Sequence, residues 1–202
     1  NVVDHPPEAR VTMGPGKHLV SYPLRDGHMV NLVAVEERDD WAAEGWHHSD
    51  HPANLRRAFA GFGAQAAQML EAVEEVTLWG LHHHPVAANW QADGVALLGD
   101  AAHPTLPFLA QGANMALEDA WVLADCLSRH PRDAALTAYQ AARIDRARRI
   151  VKTSEGNATR YHLRSGPIRF AAHTGLRIAS TLAPGAMLRA FDWLYAHDVT
   201  KG

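Results

Sequence analysis

Residues 94–120, GVALLGDAAHPTLPFLAQGANMALEDA, combine residue types that can hold a nucleotide-like ligand. A short apolar run, 95–98, ends at Gly99 and Asp100, and a proline-rich loop then leads to Gly112 at the start of a helical pattern. A glycine at a strand end lets a ligand approach the backbone, and the Asp100 carboxylate can accept a hydrogen bond from a sugar-type hydroxyl group. The free N–H groups of a helix start attract negative charge. An ordinary strand–turn–helix joint is the alternative interpretation of the Gly-Asp pair taken alone.

The histidines raise the question of a metal site, because 14 are present and several cluster in HHSDH and HHH. On a helix His47 and His51 would share one face, as zinc ligands at i and i+4 do, but neither an H-E-x-x-H pattern nor a cysteine accompanies them. In HHH, strand alternation allows at most His82 and His84 to converge. We therefore expect solvated loop histidines and no metal.

Arg143, Arg146 and Arg149 recur every three residues within one helical pattern. This spacing predicts a solvated face. The alternative is pairing with acidic groups that lie outside this chain.

Composition excludes several classes of partner. The 202 residues carry 19 Lys and Arg against 22 Asp and Glu, so no basic field favours nucleic acid. The single cysteine, Cys126, excludes an intrachain disulfide and fits a reducing compartment, for which the cytoplasm is the expected location. No apolar run approaches the roughly 18 residues of a membrane span, so none is predicted.

The surrounding patterns predict the elements that position these residues. Two strands joined by an Asp-Gly turn form a hairpin, and later strands alternate with helices, which indicates an α/β layer. The predicted strands are 18–24, 28–35, 75–86 and a buried-type strand 95–98. The predicted helices are two short ones within 51–73, then 113–127, 132–161, 167–182 and 185–196.

Apolar stripes predict which helix faces are packed. The stripe on the first long helix consists of Leu117, Trp121, Ala124 and Leu127. The stripe on the second consists of Ala135, Leu136, Tyr139, Ala142, Ile150 and Val151. The last helices mix apolar residues with Arg169 and Arg177, which suits packing against their own domain or a dimer partner better than a membrane surface.

The ordered motif GDAAHPTLPFLAQGANMALEDA resembles the second flavin-contacting motif of the FAD-dependent aromatic hydroxylases, the class A flavin monooxygenases, near the salicylate and 3-hydroxybenzoate hydroxylase branch. The resemblance implies that Asp100, following Gly99, binds the ribityl chain of FAD. It also implies that the backbone of Gly112, Ala113 and Asn114 faces the pyrimidine edge of the isoalloxazine ring.

The same resemblance implies that the segment from Pro104 to Pro107 lines the flavin face where oxygen reacts. NAD(P)H would reduce the FAD, and a small phenolic or aromatic acid would be hydroxylated with O2. Two open alternatives are a flavoprotein of the same fold acting on a non-aromatic substrate, and a non-catalytic remnant or interaction module.

His18 and Tyr22 lie on one side of the first predicted strand, together with Val20. A sheet face that covers a core or a helix would explain them without catalysis. In the 3-hydroxybenzoate hydroxylase branch, however, a histidine and a tyrosine at this spacing face the aromatic substrate. The resemblance therefore implies that His18 activates the phenol, a role suited to an imidazole.

The resemblance extends over nearly the whole chain but only to the C-terminal half of such an enzyme. These enzymes grip the ADP part of FAD through a strand, a G-x-G-x-x-G turn and a helix. GFGAQA, 61–66, fits that pattern in letters but follows a helix-like segment rather than a strand. We expect an N-terminal half with the G-x-G-x-x-G unit as partner, with a homodimer as a further possibility.

The expected fold class is α/β: the C-terminal half of a Rossmann-like FAD-binding domain with part of a β-sheet substrate domain and C-terminal helices. Residues 1–92 are assigned to the substrate-binding domain. Residues 93–202 are assigned to the second half of the FAD-binding domain and the trailing helices.

Overall fold

The computed structural model describes residues 4–39, 45 and 48–201. The chain divides into two compact units, the first formed by 1–81 with 160–169 and the second by 82–159 with 170–202. The domain boundary that we place between residues 92 and 93 stays a prediction. Each unit is described by itself.

A three-stranded antiparallel sheet forms the centre of the first unit. Its strands are β1 (Arg10–Gly14), β2 (Lys17–Leu24) and β3 (Met29–Glu36), in that order. The hairpin predicted from the Asp-Gly turn is confirmed as β2 and β3, whereas β1 was not anticipated. The connecting residues 25–27 all have positive φ, a conformation that the turn glycine adopts without strain.

The two faces of this sheet differ. On one face Leu19 is fully buried against the helices α1 (Pro52–Ala58) and α2 (Ala64–Glu71). Both short helices were predicted. The GFGAQA segment runs from the end of α1 into α2, so the strand that a dinucleotide turn requires does not precede it.

The remaining strands in the described part of the chain are short. They are β4 (His48–Asp50), β5 (Val76–Leu78), β6 (Gln91–Ala92) and β7 (Val95–Ala96), paired antiparallel as β4–β5 and β6–β7. The predicted strand 75–86 was wrong beyond residue 78. The predicted strand 95–98 is a two-residue strand with 63% of Val95 exposed, so the prediction of a buried strand was also wrong.

Five helices follow in the described residues. They are α3 (Gly112–Arg129), α4 (Arg132–Tyr161), α5 (Gly166–Leu182), α6 (Pro184–Arg189) and α7 (Asp192–Tyr195). The core of the second unit contains Trp90, Ala102, Met115, Ala135, Tyr139, Ala147, Ile150 and Leu194. The predicted stripe of α4 is buried except at Ala142, which is exposed. In the described part of the chain, no helix has the length and apolar character of a membrane span.

The predicted packing face of α3 was wrong for this chain. Leu117, Trp121 and Leu127 are 70%, 53% and 46% exposed. The buried side of α3 instead carries Met115, Asp119 and Cys126, because a charged network occupies that side. Helix α5 has no buried residue, and its packing against its own domain or a dimer partner stays a prediction.

Candidate functional site

Gly99 begins a short 3-10 turn, Gly99–Ala101, directly after the strand region of the flavin-like motif. Its φ is +59°, and a Cβ added there would lie 3.1 Å from the Cβ of Ala116 on α3. The left-handed backbone and the close helix both favour glycine here. The packing of α3 against this turn is a further reason for glycine, and the predicted approach of a ligand to Gly99 stays a prediction.

Asp100 and the start of α3 lie side by side. Asp100 is exposed, and a Cβ added to Gly112 would lie 3.9 Å from the Asp100 carboxylate oxygen Oδ1 and 3.6 Å from Thr105 Cγ2. The tertiary fold therefore brings together the carboxylate and the helix start that the sequence separates by a loop. A ligand with a hydroxyl chain could contact both.

The first turn of α3 offers backbone donors. Gln111 precedes the helix without a side-chain hydrogen bond to it, and the first turn contains no acidic residue. The first N–H groups of a helix have no intrahelical partner, and they carry the positive end of the helix dipole. Ala113 and Asn114 are exposed. Together with Gly112 they can face an acceptor-rich or anionic ring edge.

The proline loop is held from α4. The Ser154 hydroxyl group donates a 2.7 Å hydrogen bond to the carbonyl oxygen of Leu106. Pro104 is half-buried, and Pro107 is exposed at the start of a short 3-10 turn that ends at Ala110 with φ +52°. Pro107 is therefore presented on a fixed backbone rather than on a loose loop.

Asp119 anchors the glycine turn from beneath, a role that the sequence analysis missed. Its carboxylate is fully buried and accepts hydrogen bonds from the Gly99 N–H at 3.0 Å, from His103 Nε2 at 2.5 Å and from Arg143 Nε at 2.8 Å. Burial by itself would raise the pKa of Asp119, but the hydrogen bonds from His103, Arg143 and Gly99 hold that pKa below its ordinary value. The ionised carboxylate fixes the turn that presents Asp100.

The prediction that the arginine row of α4 is a solvated face was wrong for Arg143 and Arg146, whereas Arg149 is exposed. Arg143 is 2% exposed and lies 2.7 Å from Glu118, which also accepts two hydrogen bonds from Arg146. Arg149 lies 3.7 Å above the ring centre of Trp193. The acidic partners thus belong to this chain. One sequence signal could have predicted this pairing. It was the Glu-Asp pair in the flavin-like motif, combined with arginines at i and i+3 in the next helix.

In the first unit, His18 and Tyr22 lie on the same face of β2, opposite Val35 and Asn31 of β3 respectively. This face is the one turned away from Leu19 and the short helices. Tyr22 is half-buried, but His18 is only 1% exposed.

The His18 imidazole is covered by two rings. The Tyr161 ring lies edge-on with its centre 5.2 Å away, and the His162 ring centre lies 4.9 Å away. Burial first, and the charge of His162 second, lower the pKa of His18 to about 4. His18 is therefore neutral at pH 7.

The HHH histidines can be placed in the structure, whereas only part of HHSDH can. The rings of His82 and His84 lie on an exposed loop with centres 6.4 Å apart, and His83 Nε2 contacts Glu155 at 2.6 Å. Among the described residues, no group of three or more His, Cys, Asp or Glu side chains could hold a metal ion. His47 lies outside the described residues.

Comparison with known proteins shows the family of this chain. The model of the FAD binding domain family matches residues 9–154. The 3-amino-4-hydroxybenzoate 2-monooxygenase PtmB3 of Streptomyces platensis is 34% identical over 92% of this chain and 48% of its own length. A salicylate hydroxylase of Pseudomonas putida is 33% identical over 98% of this chain and 46% of its own length.

Solved structures of related enzymes also match this chain. A salicylate hydroxylase substrate complex matches with a TM-score of 0.80 and 25% identity, covering 96% of this chain and 48% of that one. HpxO of Klebsiella pneumoniae, complexed with FAD and uric acid, matches with a TM-score of 0.69 and 26% identity, covering 84% and 44%. The chain thus spans about half the length of these relatives, and it belongs to the FAD binding domain family.

Proposed function

We propose that this chain is the C-terminal half of an FAD-dependent monooxygenase that hydroxylates a small phenolic or aromatic acid with NAD(P)H and O2. The observation that carries the proposal is the juxtaposition of the Asp100 carboxylate with the uncapped start of α3, within a motif of this family. Relatives named for hydroxylating salicylate, 3-hydroxybenzoate and 3-amino-4-hydroxybenzoate support the substrate class.

The residues around the glycine turn fit FAD. Asp100, presented by Gly99, would accept hydrogen bonds from the ribityl hydroxyl groups. The N–H groups of Gly112, Ala113 and Asn114 would face the pyrimidine edge of the ring, where the helix dipole stabilises negative charge.

The proline loop would form one wall of the flavin site, with Pro104 and Pro107 against the ring and water excluded from it. Bound FAD supplies the activation of O2 after its reduction by NAD(P)H. The protein's share of the work is then to bind, orient and deprotonate the substrate.

His18 is the proposed base that deprotonates the substrate hydroxyl group, with Tyr22 orienting the ring. A phenolate is more electron-rich than a phenol, so deprotonation prepares the ring for hydroxylation. The neutral imidazole of His18 supports this role, because only an unprotonated nitrogen can accept the proton.

The test uses the full-length, FAD-loaded protein with a panel of hydroxybenzoates. In His18→Ala we expect NAD(P)H oxidation to continue while hydroxylated product falls by about 10²- to 10⁴-fold and peroxide appears instead. Tyr22→Phe should show a weaker form of the same defect. His28→Ala, which removes an exposed histidine after the same hairpin turn, is the matched control. Full coupling in His18→Ala would exclude the assigned role.

A second candidate is a flavoprotein of the same fold with a non-aromatic substrate. The structural likeness to HpxO in complex with uric acid favours keeping it. Product analysis decides: turnover of urate with no hydroxylation of any phenol would replace the main proposal with this one.

The remaining expectations concern partners and location. We propose that a G-x-G-x-x-G unit outside this chain completes the FAD site. A cytoplasmic location is consistent with a single cysteine, Cys126, that is buried and reduced. A homodimer of the full-length protein is expected and is testable by light scattering.

A further inference from the structure

We propose that His162 and Glu37 form a proton relay with His18, which carries the substrate proton from the buried base to the protein surface. The inference rests on the proposed function of His18 and extends it to two positioning residues. Glu37 directly follows β3, whereas His162 lies 144 residues after His18, and both are outside the flavin motif.

Three short contacts define the relay. His18 Nδ1 lies 2.6 Å from His162 Nε2, and His162 Nδ1 lies 2.8 Å from Glu37 Oε1. Glu37 Oε2 in turn accepts a 2.7 Å hydrogen bond from Arg164. The exposed fraction rises from one relay residue to the next. It is 1% for His18, 3% for the His162 side chain and 44% for the Glu37 side chain. The relay therefore runs from the interior to solvent.

The hydrogen bonds limit where the protons can lie. Burial would raise the pKa of Glu37, but the hydrogen bonds from Arg164 and His162 lower it, so its ionised carboxylate accepts. Nδ1 of His162 therefore carries a proton. In the proposed relay His162 is neutral, so its Nε2 accepts from Nδ1 of His18, and the lone pair of the His18 imidazole is then on Nε2.

The proton balance of the relay is closed. The substrate O–H bond breaks as an N–H bond forms at His18 Nε2. The Nδ1 proton of His18 passes to Nε2 of His162, and the Nδ1 proton of His162 passes to the Glu37 carboxylate and then to water. No electron is gained or lost, and the substrate remains as its phenolate.

The backbone holds the outer relay residues in place. The Gly16 N–H donates to the carbonyl oxygen of His162 at 3.1 Å, and the Glu37 N–H donates to the carbonyl oxygen of Gly16 at 3.0 Å. Gly16 has φ +71°, and a Cβ there would lie 2.9 Å from the guanidinium carbon of Arg164. One turn between β1 and β2 thus positions both His162 and Glu37.

A purely structural ion pair is the competing explanation. In that case Glu37 would hold Arg164 and His162 at the surface, and the state of a ligand near His18 would not depend on it. The two explanations differ in proton movement rather than in stability, so the experiment follows protons.

The experiment uses the full-length, FAD-loaded protein with 3-hydroxybenzoate as the probe. Ultraviolet difference spectra against pH measure ionisation of the bound phenol, and a pH indicator in stopped flow measures proton release. We expect Glu37→Gln to raise the pH of half-ionisation by about one unit, a tenfold change in the equilibrium, and to slow proton release. His162→Gln should do the same.

Glu36→Gln is the matched control, because Glu36 is the adjacent carboxylate and pairs with Lys17 instead. It should behave like the wild type in both measurements. Imidazole nitrogen NMR gives a readout without any ligand: Glu37→Gln should move the proton of His162 between its two nitrogens, because an amide can donate where the carboxylate only accepted.

The outcomes separate the two proposals. If His18→Ala abolishes ionisation of the probe while Glu37→Gln and His162→Gln leave it unchanged, the relay is wrong and the base stands. If the wild type does not ionise the bound phenol, or His18→Ala has no effect on it, the proposed function of His18 fails together with the relay.

Discussion

Two aspartates of the flavin-like motif differ in burial, and this difference indicates different roles. Asp119 is fully buried and accepts three hydrogen bonds, whereas Asp100 is exposed beside the start of α3. A fully buried carboxylate is out of reach of a ligand, whereas an exposed one is accessible. The proposed contact of Asp100 with FAD fits its exposure, and Asp119 holds the turn that presents Asp100.

Asp100→Ala should weaken FAD binding by about 1.5–3 kcal/mol, the range for losing a charged hydrogen bond, without affecting folding. Fluorescence titration of the full-length protein with FAD measures this. Asp145→Ala is the control, because the Asp145 side chain is 90% exposed on α4. Equal FAD affinity in the two variants would remove Asp100 from the site.

Asp119→Asn should lower the free energy of unfolding of the full-length protein by about 3–5 kcal/mol, because it breaks a buried ion pair and leaves Arg143 without its partner. The pKa of Asp119 is lower in the folded state, so its contribution is present above the ordinary aspartate pKa of about 3.9 and is lost as the pH falls through the folded value. Urea unfolding at several pH values measures both effects.

Asp125→Asn serves as the control on the same helix. Asp125 pairs with the exposed Arg129, and exposed pairs contribute at most about 1 kcal/mol. A loss in Asp119→Asn no larger than in Asp125→Asn would contradict the anchoring role of Asp119.

At the scale of elements, one face of α3 forms ion pairs and another face is exposed to solvent. The charged face meets the arginines of α4, so the helix pair is fixed by ion pairs as well as by the apolar core. The glycine turn then lies against α3 at a set distance.

Gly99→Ala tests this close packing of the turn on α3. We expect a loss of stability above the roughly 1–2 kcal/mol of a left-handed backbone alone, because the added methyl group would meet Ala116 at 3.1 Å. FAD affinity should fall as well, because the shift displaces Asp100. Thermal unfolding and FAD titration of the full-length variant measure the two effects.

Gly94→Ala is the comparison for the backbone cost. Gly94 has φ +80°, but the nearest atoms to an added Cβ belong to the flexible end of Arg132. The difference between the two variants isolates the contact with α3. If Gly94→Ala were the more destabilising of the two, the close approach of Ala116 would not be the reason for Gly99.

At the scale of the whole molecule, the chain exposes apolar surface that its relatives' full length could cover. Leu117, Trp121 and Leu127 form an exposed stripe on α3, and the chain spans about half the length of those relatives. Contiguous exposed apolar surface usually marks an interface. We expect this stripe to be covered in the full-length protein.

The 202-residue chain alone should therefore bind FAD weakly and hydroxylate nothing, because it contains no strand-linked G-x-G-x-x-G unit in its described part. Equilibrium dialysis with FAD and a hydroxybenzoate assay, compared with the full-length protein, measure this. The isolated chain, if monomeric, stable and retaining FAD with full-length affinity, would contradict the prediction.

The sequence by itself determined the β2–β3 hairpin, the long helices and the family. The β2–β3 hairpin follows from alternating apolar residues around Asp-Gly, and α4 follows from a long periodic pattern, since both signals lie within a few neighbouring residues. The flavin motif is likewise contiguous, so its resemblance to the aromatic hydroxylases was evident and the family is confirmed. The roles of individual site residues stay predictions.

Only the tertiary structure decided which charges are buried and which residues meet. The i, i+3 spacing of Arg143 and Arg146 is the same on a solvated face as on one that meets Glu118, so periodicity alone could not distinguish them. His18 Nδ1 lies 2.6 Å from His162 Nε2, although most of the sequence separates these two residues. Such contacts depend on how distant segments pack, and no local propensity encodes them.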